Sequence, residues 1–286
     1  MRGAPDTIIL LRPRSTRQAL EVFAQNPHAV PLAGGTDFMV SWNMGLHNGK
    51  TVLDISALRS WRKISAAKTG VRIGALATHA DLQRHPALRR EFSLLTEACS
   101  EIGAAAIQNR GTLGGNIANA SPAGDSFPPQ AVYEAKVHAV SAQARRLIPF
   151  NEIFVGVKKT VLRPGELIES VEIPFLKPRP SRQYFRKVGT RAAQALSKTV
   201  AAGLLWLSRD GRVSEMRFAL GSMATMVRRL KSAEHFVQGK KLTSEVIDHA
   251  CELLAKDVSP IDDVRSTAQY RLKVSRNLLR EFLSGR

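Results

Sequence analysis

The sequence predicts an α+β fold laid out as three consecutive units, and three observations carry that expectation. Residues 7–55 read as strand, helix, strand, helix, strand, which is a small α/β lobe. From Trp61 the pattern shortens into alternating segments and modest helices, the texture of a second, α+β lobe. After the proline-rich connector Leu176-Lys177-Pro178-Arg179-Pro180 come three strand candidates and then two helices. The expected units are residues 1–58, 59–176 and 180–286.

In chain order, Thr7 to Leu11 is apolar and extended, and Pro13 ends it. Ser15 or Thr16 then caps a helix whose Ala19, Leu20 and Phe23 share one face, and Asn26-Pro27 stops it. Ala29 to Ala33 and Thr51 to Ile55 are the next strands, with a helix starting near Phe38 between them. In the second unit, Val71 to Ala75 alternates like a strand, and Thr78 or Asp81 begins a short helix. His79 at that start reads as a capping or packing histidine, since the seven histidines show no metal spacing. A longer amphipathic helix is expected over 92–106. Val137 to Val140 and Arg145 to Ile148 suggest a hairpin, and the alternation of Leu167 to Pro174 a strand. In the third unit the strands are 183–188, 202–208 and 215–220, the last two joined at Asp210-Gly211, a strong hairpin signal. Helices over 244–256 and 267–284 close the chain, the second with Tyr270, Val274, Leu278 and Leu279 on one stripe.

Two glycine-rich stretches interrupt this order. Arg110-Gly111-Thr112-Leu113-Gly114-Gly115-Asn116-Ile117-Ala118-Asn119-Ala120-Ser121-Pro122-Ala123-Gly124-Asp125 reads as a long loop between apolar segments. Long loops inside compact domains usually bind something, and glycines let backbone N–H groups approach an anion. A glycine-rich turn capping the preceding helix fits the same residues. The second stretch, Gly34-Gly35-Thr36-Asp37, joins the strand Ala29 to Ala33 to the helix at Phe38. On its own it is compatible with a plain β-turn. It is not of the G-x-G-x-x-G type, and no phosphate loop ending in G-K-[ST] occurs. Together the two stretches suggest a ligand with two phosphates held between them.

Leu32-Ala33-Gly34-Gly35-Thr36-Asp37, Arg110 to Ile117 and Ser121-Pro122-Ala123-Gly124-Asp125 resemble the FAD-binding subunit of the molybdenum hydroxylases, the group of xanthine dehydrogenase, aldehyde oxidoreductases and carbon monoxide dehydrogenase. The likeness continues through Leu162 to Ile168, Phe185 to Arg191 and Ser259 to Arg271. It implies a two-lobed FAD-binding domain of the vanillyl-alcohol-oxidase (PCMH) type, in residues 1–58 and 59–176. A C-terminal flavoprotein domain with a three-stranded antiparallel sheet and helices follows in 180–286. By this resemblance Pro31, Leu32, Ala33, Gly34, Gly35, Thr36, Asp37 and Phe38 wrap the FAD pyrophosphate. Thr112, Leu113, Gly114, Gly115, Asn116 and Ile117, with Asn119 and Ser121, cover the opposite side. Asp125 accepts from a ribose or ribityl hydroxyl, which suits an acceptor-only carboxylate. Leu167 or Ile168 packs near the adenine or the flavin, and Lys187 neutralises phosphate or helps set the flavin potential. The same residues also fit plainer roles: Asp37 a helix cap, Leu167 core, and Lys187 a solvated strand lysine.

The family's large molybdopterin subunit oxidises the organic substrate. Its small two-iron two-sulfur subunit passes electrons to FAD, from which NAD or another acceptor takes them. The resemblance therefore implies an oxidoreductase subunit within a higher oligomer of heterotrimers. Lys187 to Arg191, with Ala195-Leu196-Ser197, lean toward the xanthine dehydrogenase type over carbon monoxide or aldehyde dehydrogenases. The chain itself shows no molybdenum-site sequence and no metal ligand set. Cys99 and Cys251 are its two cysteines, too few for a cluster needing about four ligands, and are expected as buried thiols.

Composition sets the remaining bounds. No apolar run reaches the roughly 18 residues of a membrane span, and Met1 to Asp6 lacks a secretory apolar core, so a cytoplasmic protein is expected. The formal net charge of +18 raises nucleic acid as a partner. The basic residues are dispersed and no nucleic-acid-binding signature accompanies them, so acidic partner subunits are the expected explanation. A basic, flavin-free nucleic-acid-binding protein is the alternative class.

Overall fold

A computed structural model describes residues 3–191 and 194–285. The first sheet is built from β1 (Ile9–Leu11), β2 (Val30–Leu32) and β3 (Thr51–Asp54), with α1 (Thr16–Gln25) and α2 (Phe38–Asn43) between them. Its order is β1-β3-β2 and both pairings are parallel. Ser15 caps α1 by accepting from the Gln18 N–H, and Ala19, Leu20 and Phe23 bury the expected face. The strand expected from Thr7 begins two residues later, because Pro5–Thr7 forms a 3-10 turn.

The second sheet runs β4 (Ile64–Ala66), β5 (Gly70–Gly74), β10 (Leu167–Pro174), β6 (Lys136–Val140), β7 (Arg145–Pro149), with every pairing antiparallel. Between β5 and β6 lie α3 (His79–Arg84), α4 (Pro86–Glu91), α5 (Ser93–Glu101), α6 (Ala105–Gln108), α7 (Leu113–Asn119) and α8 (Phe127–Val132). The hairpin β6 (Lys136–Val140) and β7 (Arg145–Pro149) follows, then a short ribbon of β8 (Phe154–Gly156) and β9 (Lys159–Thr160). β10 (Leu167–Pro174) inserts between β5 and β6, with a bulge between Ile168 and Ser170. It turns Ile168, Val171 and Ile173 into the core of the second lobe, and its amino end delivers Leu167 and Ile168 to the junction with the first lobe.

Two expectations are corrected here. The single helix expected over 92–106 is split, because Gly103 takes φ +54° and turns the chain between α5 and α6. The supposed loop 110–125 contains α7, nucleated by Thr112, whose hydroxyl accepts from the Gly115 N–H at 3.1 Å. Glycines disfavour a helix, but here tertiary bonds override that preference.

The third sheet is a meander of β11 (Arg182–Val188), β12 (Thr199–Leu207), β13 (Val213–Gly221) and a two-residue edge strand, β14 (Arg228–Arg229), which adds to the three expected. Its two faces serve different cores. Ala202, Leu204, Trp206 and Ala219 join the core of the second lobe, beneath α8. Ala201, Leu205, Met216 and Phe218 pack under α9 (Lys231–Val237), α10 (Ser244–Leu253) and α11 (Ala268–Ser284). Strand alternation assigns these sets to opposite faces. On α11 the expected stripe is amended: Leu278 and Leu279 are buried, but Tyr270 is 41% exposed. Its neighbour Arg271, 1% exposed, takes the core side, paired with Asp263 at 2.8 Å and donating to the carbonyls of Lys198 and Ser222. Cys99 and Cys251 are free, buried thiols.

Candidate functional site: a cavity between two lobes

A cavity of about 770 Å³ lies where the first lobe meets α7 and the amino end of β10. It lies within the usual range for ligand pockets. Most of the expected residues line it: Pro31 and residues 33–38, then Thr112, Gly114, Gly115, Asn116, Asn119, Ser121, Asp125, Leu167 and Ile168. Leu32, Leu113, Ile117 and Lys187 do not. Leu113 and Ile117 turn their side chains into the core, and Leu32 is half-buried beside the sheet.

The 34–38 turn is held at backbone contact against Arg110 and Gly111, just ahead of α7. A Cβ on Gly34 would stand 1.9 Å from the Arg110 carbonyl oxygen, so only glycine permits this approach. Gly35 sits at φ +83°, a left-handed conformation costly for other residues. With the chain bent this way, the N–H groups of Gly34, Gly35, Thr36 and Asp37 make no hydrogen bond among the described residues. Four adjacent unbonded donors lining a cavity form a nest for an anion.

The second glycine stretch behaves differently. Its N–H groups are spent inside the fold: Leu113 donates to the Ala77 carbonyl, Gly114 to Ala75, Gly115 to the Thr112 hydroxyl and Asn116 to the Thr112 carbonyl. This stretch therefore supplies a wall and side-chain polar groups such as Asn116, whose Oδ1 accepts from the Ser126 hydroxyl at 2.6 Å.

Asp125 is 8% exposed at the cavity. Its Oδ2 accepts from Lys187 Nζ at 2.8 Å, and its Oδ1 is buried without a partner. Burial pushes the carboxyl up to about 6, against the opposing pull of Lys187. Lys187 also donates to the Glu101 carbonyl at the end of α5, 2.7 Å away. It thus anchors Asp125 from behind and is not free to meet a phosphate.

His79 was legible only as a helix-start histidine, yet its ring forms part of the cavity wall. Burial lowers it to about 4, so it is neutral, with Nδ1 3.6 Å from Cys99 Sγ. The turn at Gly103, Ile107, and the segment Gln194 to Leu196 complete the wall. Sequence gave no signal for these apolar contributions, since they arise from packing across large separations. Among the described residues no cluster of metal-ligating side chains occurs.

The fit to a dinucleotide with a pyrophosphate rests on three features: the unbonded N–H groups of residues 34–37, the orphaned Asp125 Oδ1, and a cradle closed by a missing Cβ at Gly34. Fold and cavity together define a protein with a dinucleotide-sized site between two lobes. Residues 6–176 match the FAD binding domain in molybdopterin dehydrogenase, and residues 183–285 match the CO dehydrogenase flavoprotein C-terminal domain. The chain belongs to the FAD-binding medium subunits of the molybdenum hydroxylase family, its cofactor is FAD, and it is an oxidoreductase subunit.

Its relatives include the xanthine dehydrogenase FAD-binding subunit of Escherichia coli O157:H7, 29% identical over 278 residues, covering 96% of this chain and 94% of the relative. The nicotine 6-hydroxylase medium subunit of Paenarthrobacter nicotinovorans is 28% identical, covering 94% and 93%. In three dimensions the chain superimposes on carbon monoxide dehydrogenase from Hydrogenophaga pseudoflava with a TM-score of 0.91 at 25% identity, covering 97% of this chain and 96% of that one.

Proposed function

We propose that the pyrophosphate of FAD is held by the N–H groups of Gly34, Gly35, Thr36 and Asp37. The supporting observation is that these four donors have no partner among the described residues. Asp125 takes a ribose or ribityl hydroxyl through Oδ1, while Lys187 fixes the carboxylate from behind. Thr112, Gly114, Gly115, Asn116, Asn119 and Ser121 form the facing wall, and Leu167 and Ile168 give an apolar surface to a ring system. The lobes 1–58 and 59–176 enclose the cofactor, and 180–286 supplies Lys187 and the wall segment at 194–196.

Bound there, FAD supplies redox chemistry, taking electrons from two-iron two-sulfur clusters and yielding them to NAD or another acceptor. The chain's own residues bind and orient it, and the neutral His79 and apolar wall limit water. The clusters belong to a small partner subunit and the molybdenum centre to a large one, assembled as heterotrimers in the cytoplasm. The Lys187 to Ser197 segment favours a xanthine-dehydrogenase-like complex, with carbon monoxide or aldehyde oxidation as the second possibility. No helix among the described residues is long and apolar enough to cross a membrane.

Purification tests the central claim: the isolated chain is yellow, with a flavin absorption band and one FAD per chain. Colourless protein that bound DNA tightly and salt-sensitively would instead identify a nucleic-acid-binding protein.

A further inference from the structure

The anion nest contains an acid. Asp37 sits at the end of the four unbonded N–H groups and lines the cavity, where a carboxylate opposes a pyrophosphate. It occupies the N-cap position of α2, yet its side chain makes no capping bond. The carboxylate instead turns across the lobe junction, where Oδ1 accepts from Asn119 Nδ2 at 3.1 Å and lies 3.6 Å from Lys158 Nζ. Lys158 Nζ also donates to Asn119 Oδ1 at 2.5 Å.

Lys158 is aimed by an unusual backbone. It sits in the β8–β9 turn at φ +56°, and its N–H donates to the carbonyl of Ala120 at 3.1 Å. Ala120, the residue that ends α7, is itself left-handed at φ +49°. Two non-glycine residues in this conformation, bonded to each other, are a cost the fold carries at one place. Ala120 lies between Asn119 and Ser121, which line the cavity, and Lys158 reaches from this lobe to Asp37 of the nest. Lys187, the basic residue first expected to meet the phosphates, is locked onto Asp125, and Arg110 Nε is held by the Gly34 carbonyl at 3.3 Å.

We propose that Lys158 is a further FAD-binding residue: its ammonium neutralises Asp37 and supplies the positive charge that admits the FAD pyrophosphate to the 34–37 nest. The proposal rests on the placement of FAD given above. Against this stands a half-exposed surface ion pair of little consequence, since the two side chains are 51% and 62% exposed.

Titration of apo-protein with FAD, followed by flavin fluorescence quenching over a range of salt, separates the two. Lys158→Gln removes the charge but keeps a flexible polar side chain and should fold, which circular dichroism checks. At low salt it should bind FAD about five- to tenfold more weakly, the scale of a lost charge contact at a partly exposed site. The deficit should shrink as salt screens the wild type. Lys158→Arg should restore binding. Asp37→Asn added to Lys158→Gln should recover most of the loss, because the repelling carboxylate is then gone. Wild-type affinity in Lys158→Gln, a deficit equal at all salt concentrations, or a double variant no better than the single would each overturn the role of Lys158. A wild-type chain that takes up no FAD at any salt would overturn the FAD placement itself.

Discussion

Asp125 holds an ionisable group in a place where its charged form is costly. Burial places the carboxyl at about 6, above its ordinary 3.8, and Lys187, with a smaller contribution from Ser197, restrains the shift. A raised carboxylate stabilises the fold when protonated, so its contribution to apo-protein stability falls as pH rises from about 4 through about 6. Flavin binding has the opposite sign. A hydroxyl donates more strongly to a carboxylate than to a carboxylic acid, so ionised Asp125 is the binding form. FAD affinity should therefore decline as pH falls below about 6, by up to about tenfold per unit. Asp125→Asn should flatten that dependence. Asp125→Ala should weaken FAD binding by about 1–3 kcal/mol, the scale of a lost charged hydrogen bond. Titrations between pH 5 and 8 decide both, and unchanged affinity would leave Asp125 only the role of anchoring Lys187. The carboxylate was readable from sequence as an acceptor. Its pairing with a lysine on β11, far along the chain, was not, since nothing local at Asp125 or Lys187 encodes the contact.

At the scale of elements, the two glycine stretches fail differently when altered. Gly35→Val forces a β-branched residue into φ +83°, which changes the direction of the donors that follow. Gly115→Val places a Cβ 2.7 Å from the Thr112 hydroxyl that caps α7. Both variants should fold yet lose bound flavin, measured as FAD per chain after gel filtration. Stoichiometric flavin in either would refute its assigned place in the site. The elements that sequence read best are those whose pattern is local. β10 is found residue for residue because its alternation is strong, and α1 because Ser15 and the 19, 20, 23 face leave little choice. α7 escaped because Gly114 and Gly115 argue against a helix, which Thr112 and the bonds to Ala75 and Ala77 nevertheless enforce. The same bonds overturn the idea that both glycine stretches offer free N–H groups. Arg271 escaped because an arginine on an amphipathic helix is expected in solvent, whereas here Asp263 and two carbonyls hold its terminal nitrogens inside.

For the whole molecule, the +18 charge is only partly consumed within the fold. Lys187, Arg229 and Arg271 are buried in ion pairs. Arg59, Arg62, Lys63 and Lys68 are exposed and make no ion pair, as are Arg84 and Arg89. Such charges repel one another, and acidic partner faces would neutralise them, so association with the iron–sulfur and molybdenum subunits should weaken as salt rises. The chain holds its flavin in a cavity formed by its own lobes, but two separate buried thiols cannot ligate a cluster. Alone, it should be reduced by dithionite or NADH, followed by bleaching of the flavin band, and should turn over neither purines nor aldehydes. Adding the two partner subunits should restore flavin reduction driven by the organic substrate, with a salt dependence that tracks complex formation on gel filtration. If the purified single chain oxidised a purine or an aldehyde unaided, the division of labour among three subunits would be wrong. If the partners bound equally well at low and high salt, the basic surface would have no part in assembly.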